Sequence, residues 1–268
     1  MQWWCAATNV EWSWTWRAYP GVWLMIALLA ALFVVAWRGT SREAAWRRAA
    51  AAAGVLLLWA ALDWPLGALG AGYLLSLHTV QYVVITMAAM PLLLMGTPRS
   101  LWPVPQASPG RALRLAAHPA VGLALYVGAM AVTHVPSVSD TLMRSQPGSL
   151  AVDLLWMLGA FGLWWPVLAP PGLGRISEPL KVGYLFLATI PPTVPAMFMV
   201  FADFPLYGLY ELAPRVQGIG AAADQQVAGL IMKIGAEPFF WIAMAIVFFR
   251  WYQAEERQAP GHPKESTG

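Results

Sequence analysis

The residues from Tyr73 to Met95 constrain the fold most strongly, because they form a 23-residue stretch without a single Asp, Glu, Lys or Arg. As a helix this stretch is about 35 Å long, enough to cross the hydrocarbon core of a bilayer. The whole chain is 59% hydrophobic and 11% charged, whereas soluble domains carry about 25% charged residues. The sequence therefore predicts an integral membrane protein.

Seven apolar segments predict an all-α fold, a polytopic membrane bundle of seven transmembrane helices. The predicted spans are Gly21–Trp37, Ala49–Leu62, Tyr73–Met95, Pro119–Val135, Leu150–Leu168, Val182–Phe201 and Asp224–Trp251. We predict a Trp-rich interfacial segment at residues 1–20, the membrane domain at residues 21–252, and a polar cytoplasmic tail at residues 253–268.

Basic residues predict the orientation of the bundle, because cytoplasmic loops of membrane proteins are enriched in Lys and Arg. With the first loop inside, twelve of the sixteen Lys and Arg residues fall in inner loops or the tail, and three fall outside. We therefore predict an outer N-terminus and an inner C-terminus. The remaining basic residue, Lys233, lies within the seventh span, where we expect it to snorkel or to pair with Glu237.

One face of the third span is polar. His78, Gln81, Tyr82 and Thr86 are spaced so that they share a helical face. Because ionisable groups are costly against lipid, we expect this face to turn toward other helices or a cavity.

The predicted topology brings His and Asp residues from four spans to one depth beneath the outer face. His78 follows the start of the third span, His134 ends the fourth, and Asp153 and Asp224 lie near the starts of the fifth and seventh. Imidazole suits copper and zinc, so these four residues form the candidate metal site. Each also has a structural alternative, since Asp residues cap helix N-termini and His residues make hydrogen bonds within bundles.

Other chemistry has little support in the sequence. The chain lacks a His-Glu-x-x-His helix, a Gly-x-Ser-x-Gly elbow and a Walker loop, so we do not expect an enzyme. Cys5 is the only cysteine, and no basic face interleaved with aromatics indicates nucleic-acid binding. Haem is an alternative to copper, because two His residues on neighbouring spans are one way in which bundles hold haem.

Four sequence elements occur in a fixed order along most of the chain. They are Leu-His-Thr-Val-Gln at residues 77–81 with Pro-Leu-Leu-Leu-Met-Gly-Thr-Pro at 91–98, Thr-His-Val-Pro at 133–136 with Asp140, Trp-Trp-Pro-Val-Leu at 164–168, and Asp-Gln-Gln-Val-Ala-Gly-Leu-Ile-Met at 224–232. Together they resemble the signatures of the CtaG family of cytochrome c oxidase assembly factors.

The resemblance implies a polytopic factor of the bacterial cytoplasmic membrane that helps to mature caa3-type haem-copper oxidases. It implies oxidase subunits as partners and a role around copper delivery to the outer-facing site. Two positions depart from the family pattern, because Tyr82 and Asp153 stand where members often carry further His residues. A metal site in this chain would then be weaker or altered, and docking on an oxidase without metal is the alternative.

Two further functions compete with an assembly factor. An accessory subunit would stay bound to a respiratory or other membrane complex without metal, and would use the polar layer and the tryptophans as contact area. A transporter would use Pro91, Pro191, Pro192 and Pro195 to break helices near a midplane site. We detect no inverted repeats and no ionisable relay through the inner half, which disfavours transport.

Overall fold

The computed structural model describes residues 2–38, 45–99, 117–169 and 176–258, and the regular elements in these ranges are all helical. This confirms the predicted all-α fold. Five helical segments within these ranges are long and apolar enough to cross a membrane: Ala45–Leu62, Leu75–Gly96, Gln146–Leu168, Glu178–Phe201 and Ala221–Arg257.

A sixth crossing is formed if the bent pair Pro119–His134 and Pro136–Leu142, which meet at 78°, is counted as one span. The helix Pro20–Ala36 is apolar but shorter than the others. All seven predicted segments are therefore helical, whereas the count of seven crossings and the orientation stay predictions.

We number the helices in chain order. They are α1 (Pro20–Ala36), α2 (Ala45–Leu62), α3 (Leu66–Gly72), α4 (Leu75–Gly96), α5 (Pro119–His134), α6 (Pro136–Leu142), α7 (Gln146–Leu168), α8 (Glu178–Thr189), α9 (Thr193–Phe201), α10 (Gly208–Glu211), α11 (Ala221–Leu230) and α12 (Glu237–Gln258). Two π-helical turns interrupt this pattern, Val84–Ala89 within α4 and Ile231–Gly235 between α11 and α12.

Several helices begin earlier than the apolar pattern predicts. Helix α2 begins at Ala45 rather than Ala49, and α7 begins at Gln146 rather than Leu150. The early start of α7 has a local cause, because the Ser145 hydroxyl accepts a hydrogen bond from the Gly148 amide. This is a side-chain cap of the kind that begins helices.

Prolines mark the breaks within the spans. As predicted, Pro191 and Pro192 separate α8 from α9. Pro91 follows directly on the π-helical turn of α4. Proline lacks the N–H that the preceding turn needs, and its ring crowds that turn. The Thr86 carbonyl in this turn accepts a hydrogen bond from the Trp164 indole over 2.8 Å.

Helix α4 is the centre of the bundle. Of an 18-residue apolar stretch of α4, 67% is buried inside the structure, compared with 33% of such a stretch in α2 and 28% in the last span. Its first half packs against α3 and α11, and its second half packs against α2 and α7. The polar face predicted for this helix therefore turns inward, away from lipid.

Helices α5 and α7 approach each other at glycines. A Cβ atom added to Gly122 would lie 2.3 Å from the carbonyl oxygen of Gly162, so the two backbones are in direct contact there. Small residues at a crossing allow such close packing in membranes. This crossing fixes the position of His134, at the end of α5, relative to Asp153 on α7.

Part of the N-terminal segment belongs to the fold. Trp4 and Cys5 are buried, and the Ala7 amide donates to the Met143 carbonyl over 3.0 Å. By contrast, Trp14 and Trp16 are largely exposed. The first residues of the segment are therefore packed into the bundle, whereas its later tryptophans are exposed. The position of the segment at the membrane interface stays a prediction.

Several sequence predictions fall on residues 39–44, 100–116, 170–175 and 259–268, which lie outside the described residues. They include basic residues used to predict the orientation: Arg42, Arg111, Arg114, Arg175 and Lys264. They also include most of the predicted polar tail, whose first six residues, 253–258, continue α12.

Candidate functional site

His78 lies in the second turn of α4 and is 5% exposed. Its ring packs 4.8 Å from the ring of Trp156 and 5.9 Å from that of Tyr210. Its Nδ1 atom is buried and has no hydrogen-bond partner in the part of the chain that the structure describes. Buried polar atoms are nearly always paired, so an unpaired imidazole nitrogen marks a place where a ligand or water can bind.

Gln81 repeats this feature one turn further along α4. Its amide Nε2 donates to the Asp153 carboxylate over 3.0 Å, but its Oε1 atom is buried without a partner among the described residues. Two unpaired polar atoms three residues apart on one helical face indicate a shared polar site rather than an isolated defect.

His134 ends α5 at the 78° bend into α6. Its Nδ1 atom lies 2.8 Å from the Met130 carbonyl oxygen, and its own carbonyl accepts a hydrogen bond from the Tyr207 hydroxyl over 2.9 Å. The imidazole ring stands edge-on to Tyr82 at 5.2 Å. Its Nδ1 atom is thus held by the backbone, which leaves Nε2 as the nitrogen for other contacts.

Two aromatic rings connect the two histidines. Tyr82 lies against His134, Trp156 lies against His78, and the Tyr82 and Trp156 rings are 5.3 Å apart. The Trp156 indole donates to the Thr133 hydroxyl over 2.9 Å, which ties α7 to the end of α5. The two histidines are therefore linked through a pair of packed aromatic rings.

Asp153 on α7 is buried and accepts two side-chain hydrogen bonds. Gln81 donates to Oδ1 over 3.0 Å, and the Trp4 indole donates to Oδ2 over 2.8 Å. A buried carboxylate is tolerated when such donors replace the water that it has lost. Asp153 therefore joins α4, α7 and the N-terminal segment.

Asp224 caps α4, although it lies in α11. Its carboxylate accepts a hydrogen bond from the Leu75 amide over 2.6 Å and another from the Ser76 hydroxyl. The residue at the N-cap position of α4, Leu74, has no side-chain acceptor. Asp224 supplies that acceptor from a distant part of the chain and places an anion at the positive end of the helix dipole.

We call His78, Gln81, His134, Asp153 and Asp224 the polar cluster. All five lie at one end of the bundle, where α4, α7 and α11 begin and α5 ends. The structure brings His78 and Asp153 together through Gln81, whereas Asp224 lies at the start of α4 as its cap. Within the described ranges, no group of three or more His, Cys, Asp or Glu side chains is arranged to hold a metal ion.

A loop between α9 and α11 closes this end of the bundle. The Asp140 carboxylate accepts from the Gly208 and Leu209 amides, over 2.9 Å and 3.1 Å. The Tyr210 hydroxyl donates to the Gly70 carbonyl over 2.7 Å, which places the Tyr210 ring beside His78. Asp140 therefore positions one wall of the polar cluster.

Sequence reasoning did not identify Trp4, Trp156 or Tyr210 as parts of the site. Trp156 and Tyr210 stand among other aromatics in apolar or loop sequence, so nothing distinguishes them locally. The density of tryptophans in residues 1–20 was visible, but it indicated an interfacial segment rather than one indole that reaches a buried carboxylate.

Cys5 lies beside the polar cluster but is not prepared to bind a metal. Its thiol donates to the Leu62 carbonyl over 3.3 Å, and burial raises the pKa of the Cys5 thiol well above its ordinary value. The thiolate is the metal-binding form of cysteine, and here the buried thiol is used in a hydrogen bond to the backbone.

The fold and the site define a polytopic membrane protein with a polar, aromatic-walled cluster at one end of its helix bundle. A model of the cytochrome c oxidase caa3 assembly factor family (Caa3_CtaG) matches residues 26–254. The chain therefore belongs to this family, which confirms the resemblance seen in the sequence. Searches of curated proteins and of solved structures each found no significant match.

Proposed function

We propose that this protein is a non-enzymatic integral membrane factor that helps to assemble a haem-copper cytochrome c oxidase in the bacterial cytoplasmic membrane. Family membership supports the oxidase as the partner. In this proposal the bundle crosses the membrane seven times, with the N-terminus outside and the C-terminus inside. The polar cluster then lies beneath the outer face.

The orientation has support from the described basic residues. Arg38 follows α1, Arg47 and Arg48 lie in the first turn of α2, and Arg99 follows α4, all at the bundle end opposite the polar cluster. Basic residues favour the cytoplasmic side. Reporter fusions at the two termini test this, and an outer C-terminus would contradict the proposed topology.

Copper is the proposed cargo of the polar cluster, with His78 and His134 as its ligands. The unpaired Nδ1 atom of His78 is the observation that carries this proposal, and imidazole is a ligand that suits copper. A set of two imidazoles holds an ion less firmly than the three or four ligands of a resident site. Weak binding suits an ion that must be passed on.

Asp153 and Asp224, the other two predicted ligands, have a different part in this proposal. Each already accepts hydrogen bonds, Asp153 from Trp4 and Gln81, and Asp224 from the start of α4. They would hold α4 in place and supply negative charge near a cation. They would not need to contact the ion themselves.

Metal analysis of the detergent-purified full chain tests the proposal. We expect bound copper in the wild-type protein and its loss in the double variant His78→Ala with His134→Ala. His118→Ala is the matched control, because His118 lies at the other end of α5 and caps that helix by accepting from the Ala120 amide. Full copper retention in the double variant would exclude the proposed ligands.

Docking on the oxidase without metal is a second candidate function. The contacts that already occupy Asp153 and Asp224 favour it, because they make the cluster a rigid structural element. Stable co-purification with oxidase subunits in fixed stoichiometry, with no copper in the isolated chain, would support docking over copper handling. A transient association with copper present would support the first function.

A further inference from the structure

An ion pair lies within the last membrane segment, far from both of its ends. Lys233 in the π-helical turn contacts the Glu237 carboxylate, and its Nζ also donates to the Thr193 hydroxyl over 2.8 Å. At the helical rise, Lys233 is about 13 Å from Asp224 and about 25 Å from Arg250, the neighbouring charged residues outside the pair. The pair therefore lies near the middle of the bilayer.

The bundle covers this ion pair only in part. The side chains of Lys233 and Glu237 are 37% and 32% exposed. The surrounding surface is apolar, because Ile234, Val194 and Met197 are exposed next to them. The result is one charged, partly open patch in a surface that otherwise suits lipid. We call Lys233, Glu237 and Thr193 the midplane patch.

Lipid tails are unfavourable neighbours for the charged side chains of the midplane patch. Charged side chains at the bilayer centre are costly and normally face a bundle interior, a cavity or a partner. Headgroups lie about 15 Å away, at the edge of the hydrocarbon core. The π-helical turn and the break between α8 and α9 add backbone irregularity at the same place, and π-helical turns are frequent at functional sites.

A second copy of this chain is also an unfavourable partner for the midplane patch. Two copies inserted in the same direction would be related by an axis along the membrane normal, so equivalent residues would lie at equal depth. With the midplane patch on that axis, Lys233 would face Lys233 and Glu237 would face Glu237. Like charges placed opposite each other are unfavourable at interfaces.

We propose that the midplane patch binds a transmembrane helix of a different membrane protein, one that carries an amide or hydroxyl side chain at mid-bilayer depth. Such a side chain both donates to the Glu237 carboxylate and accepts from the Lys233 ammonium, and polar side chains join helices in this way in membranes. Gly235 supports close approach, because it is exposed and a Cβ there would meet only the Ile231 side chain. This inference does not depend on metal at the polar cluster.

Site-specific photocrosslinking in native membranes tests the inference. A photoreactive residue replaces Ile234, beside the patch, or Leu28 on α1 as an equally exposed control. We expect a discrete adduct from position 234, and we expect mass spectrometry to locate it in a membrane-spanning peptide with a polar residue near its centre. An adduct of two copies of this chain, or adducts with lipid alone at both positions, would overturn the proposal.

Removing the two charges distinguishes a contact with a partner helix from an ion pair that only stabilises this chain. In Lys233→Met with Glu237→Gln we expect the crosslink to fall about three- to tenfold, the effect of losing a hydrogen bond between membrane helices. The thermal stability of the purified chain should stay equal or rise, because a partly lipid-exposed charge has been removed. A lower stability with an unchanged crosslink would show that the pair only braces the fold.

The control removes a second ion pair among the described residues. Lys181→Met with Glu178→Gln breaks a pair whose atoms are 2.9 Å apart at the start of α8. We expect this variant to leave the crosslink at position 234 unchanged. An equal loss of crosslink in both double variants would mean a general disturbance of the bundle, and would contradict a specific contact at the midplane patch.

Discussion

The Trp4 indole nitrogen lies 2.8 Å from the Asp153 carboxylate, although the two residues are 149 positions apart in the chain. Both side chains are buried. The contact turns an N-terminal segment that precedes the first helix into a part of the bundle core. It also gives Asp153 the second of the two donors that let a carboxylate remain buried.

We expect Trp4→Phe to lower the free energy of unfolding by about 1–3 kcal/mol, the effect of leaving a buried acceptor without its donor. Phenylalanine keeps an aromatic ring in the core but lacks the indole N–H. Thermal or denaturant unfolding of the detergent-purified chain measures the change. Trp14→Phe is the control, since Trp14 is 59% exposed, and equal effects of both substitutions would show that the hydrogen bond is unimportant.

The cap that Asp224 provides to α4 predicts a local effect as well as a global one. We expect Asp224→Ala to cost about 1–2 kcal/mol of stability, as the loss of an N-cap does. We also expect faster hydrogen exchange at the Leu75 and Ser76 amides, the first of which loses its acceptor. Asp203→Ala is the control, because Asp203 is exposed in the loop after α9.

If the Leu75 and Ser76 amides exchange no faster in Asp224→Ala than in Asp203→Ala, the proposed cap is contradicted. A stability loss without the local exchange change would indicate that Asp224 supports α11 instead. The two measurements together therefore locate the effect on one helix end.

The sequence predicted the helices well for a physical reason. In lipid each segment must satisfy its own backbone hydrogen bonds, so a long apolar stretch forms a helix irrespective of its distant neighbours. The inward face of α4 followed from the same logic, because His78, Gln81 and Tyr82 cannot turn toward hydrocarbon at low cost.

The unpredicted parts of the site are those made by distant residues. Asp224 was predicted as a metal ligand, with capping of its own helix as the alternative, whereas it caps α4. The contact of Trp4 with Asp153 has no local signal either, since no spacing rule connects a loop indole to a carboxylate on another helix. The π-helical turn at Ile231–Gly235 contains Lys233, and hydrophobic periodicity alone does not reveal the change of register there.

The contact between α5 and α7 predicts a sharp difference between two glycines of α5. Gly122→Ala places a Cβ atom 2.3 Å from the Gly162 carbonyl oxygen, and this overpacking should cost about 1–3 kcal/mol. Gly128→Ala meets nothing within 4 Å, so we expect it to be neutral or slightly stabilising, because alanine favours the helix. Unfolding midpoints of the two purified variants provide the test, and equal midpoints would contradict the close crossing.

The last prediction compares two neighbours on α4 that differ in how their polar atoms are used. The His78 Nδ1 atom is unpaired, so His78→Leu removes a buried polar atom and should leave stability equal or raise it by about 1–2 kcal/mol. Gln81→Leu removes a donor to Asp153 and should destabilise the fold by about 1–3 kcal/mol. In cells that depend on this chain for oxidase maturation, His78→Leu should nevertheless reduce the copper content of the oxidase. A stable His78→Leu protein that matures the oxidase normally would contradict a functional role for this imidazole, whereas a loss of stability as large as that of Gln81→Leu would make His78 a structural residue.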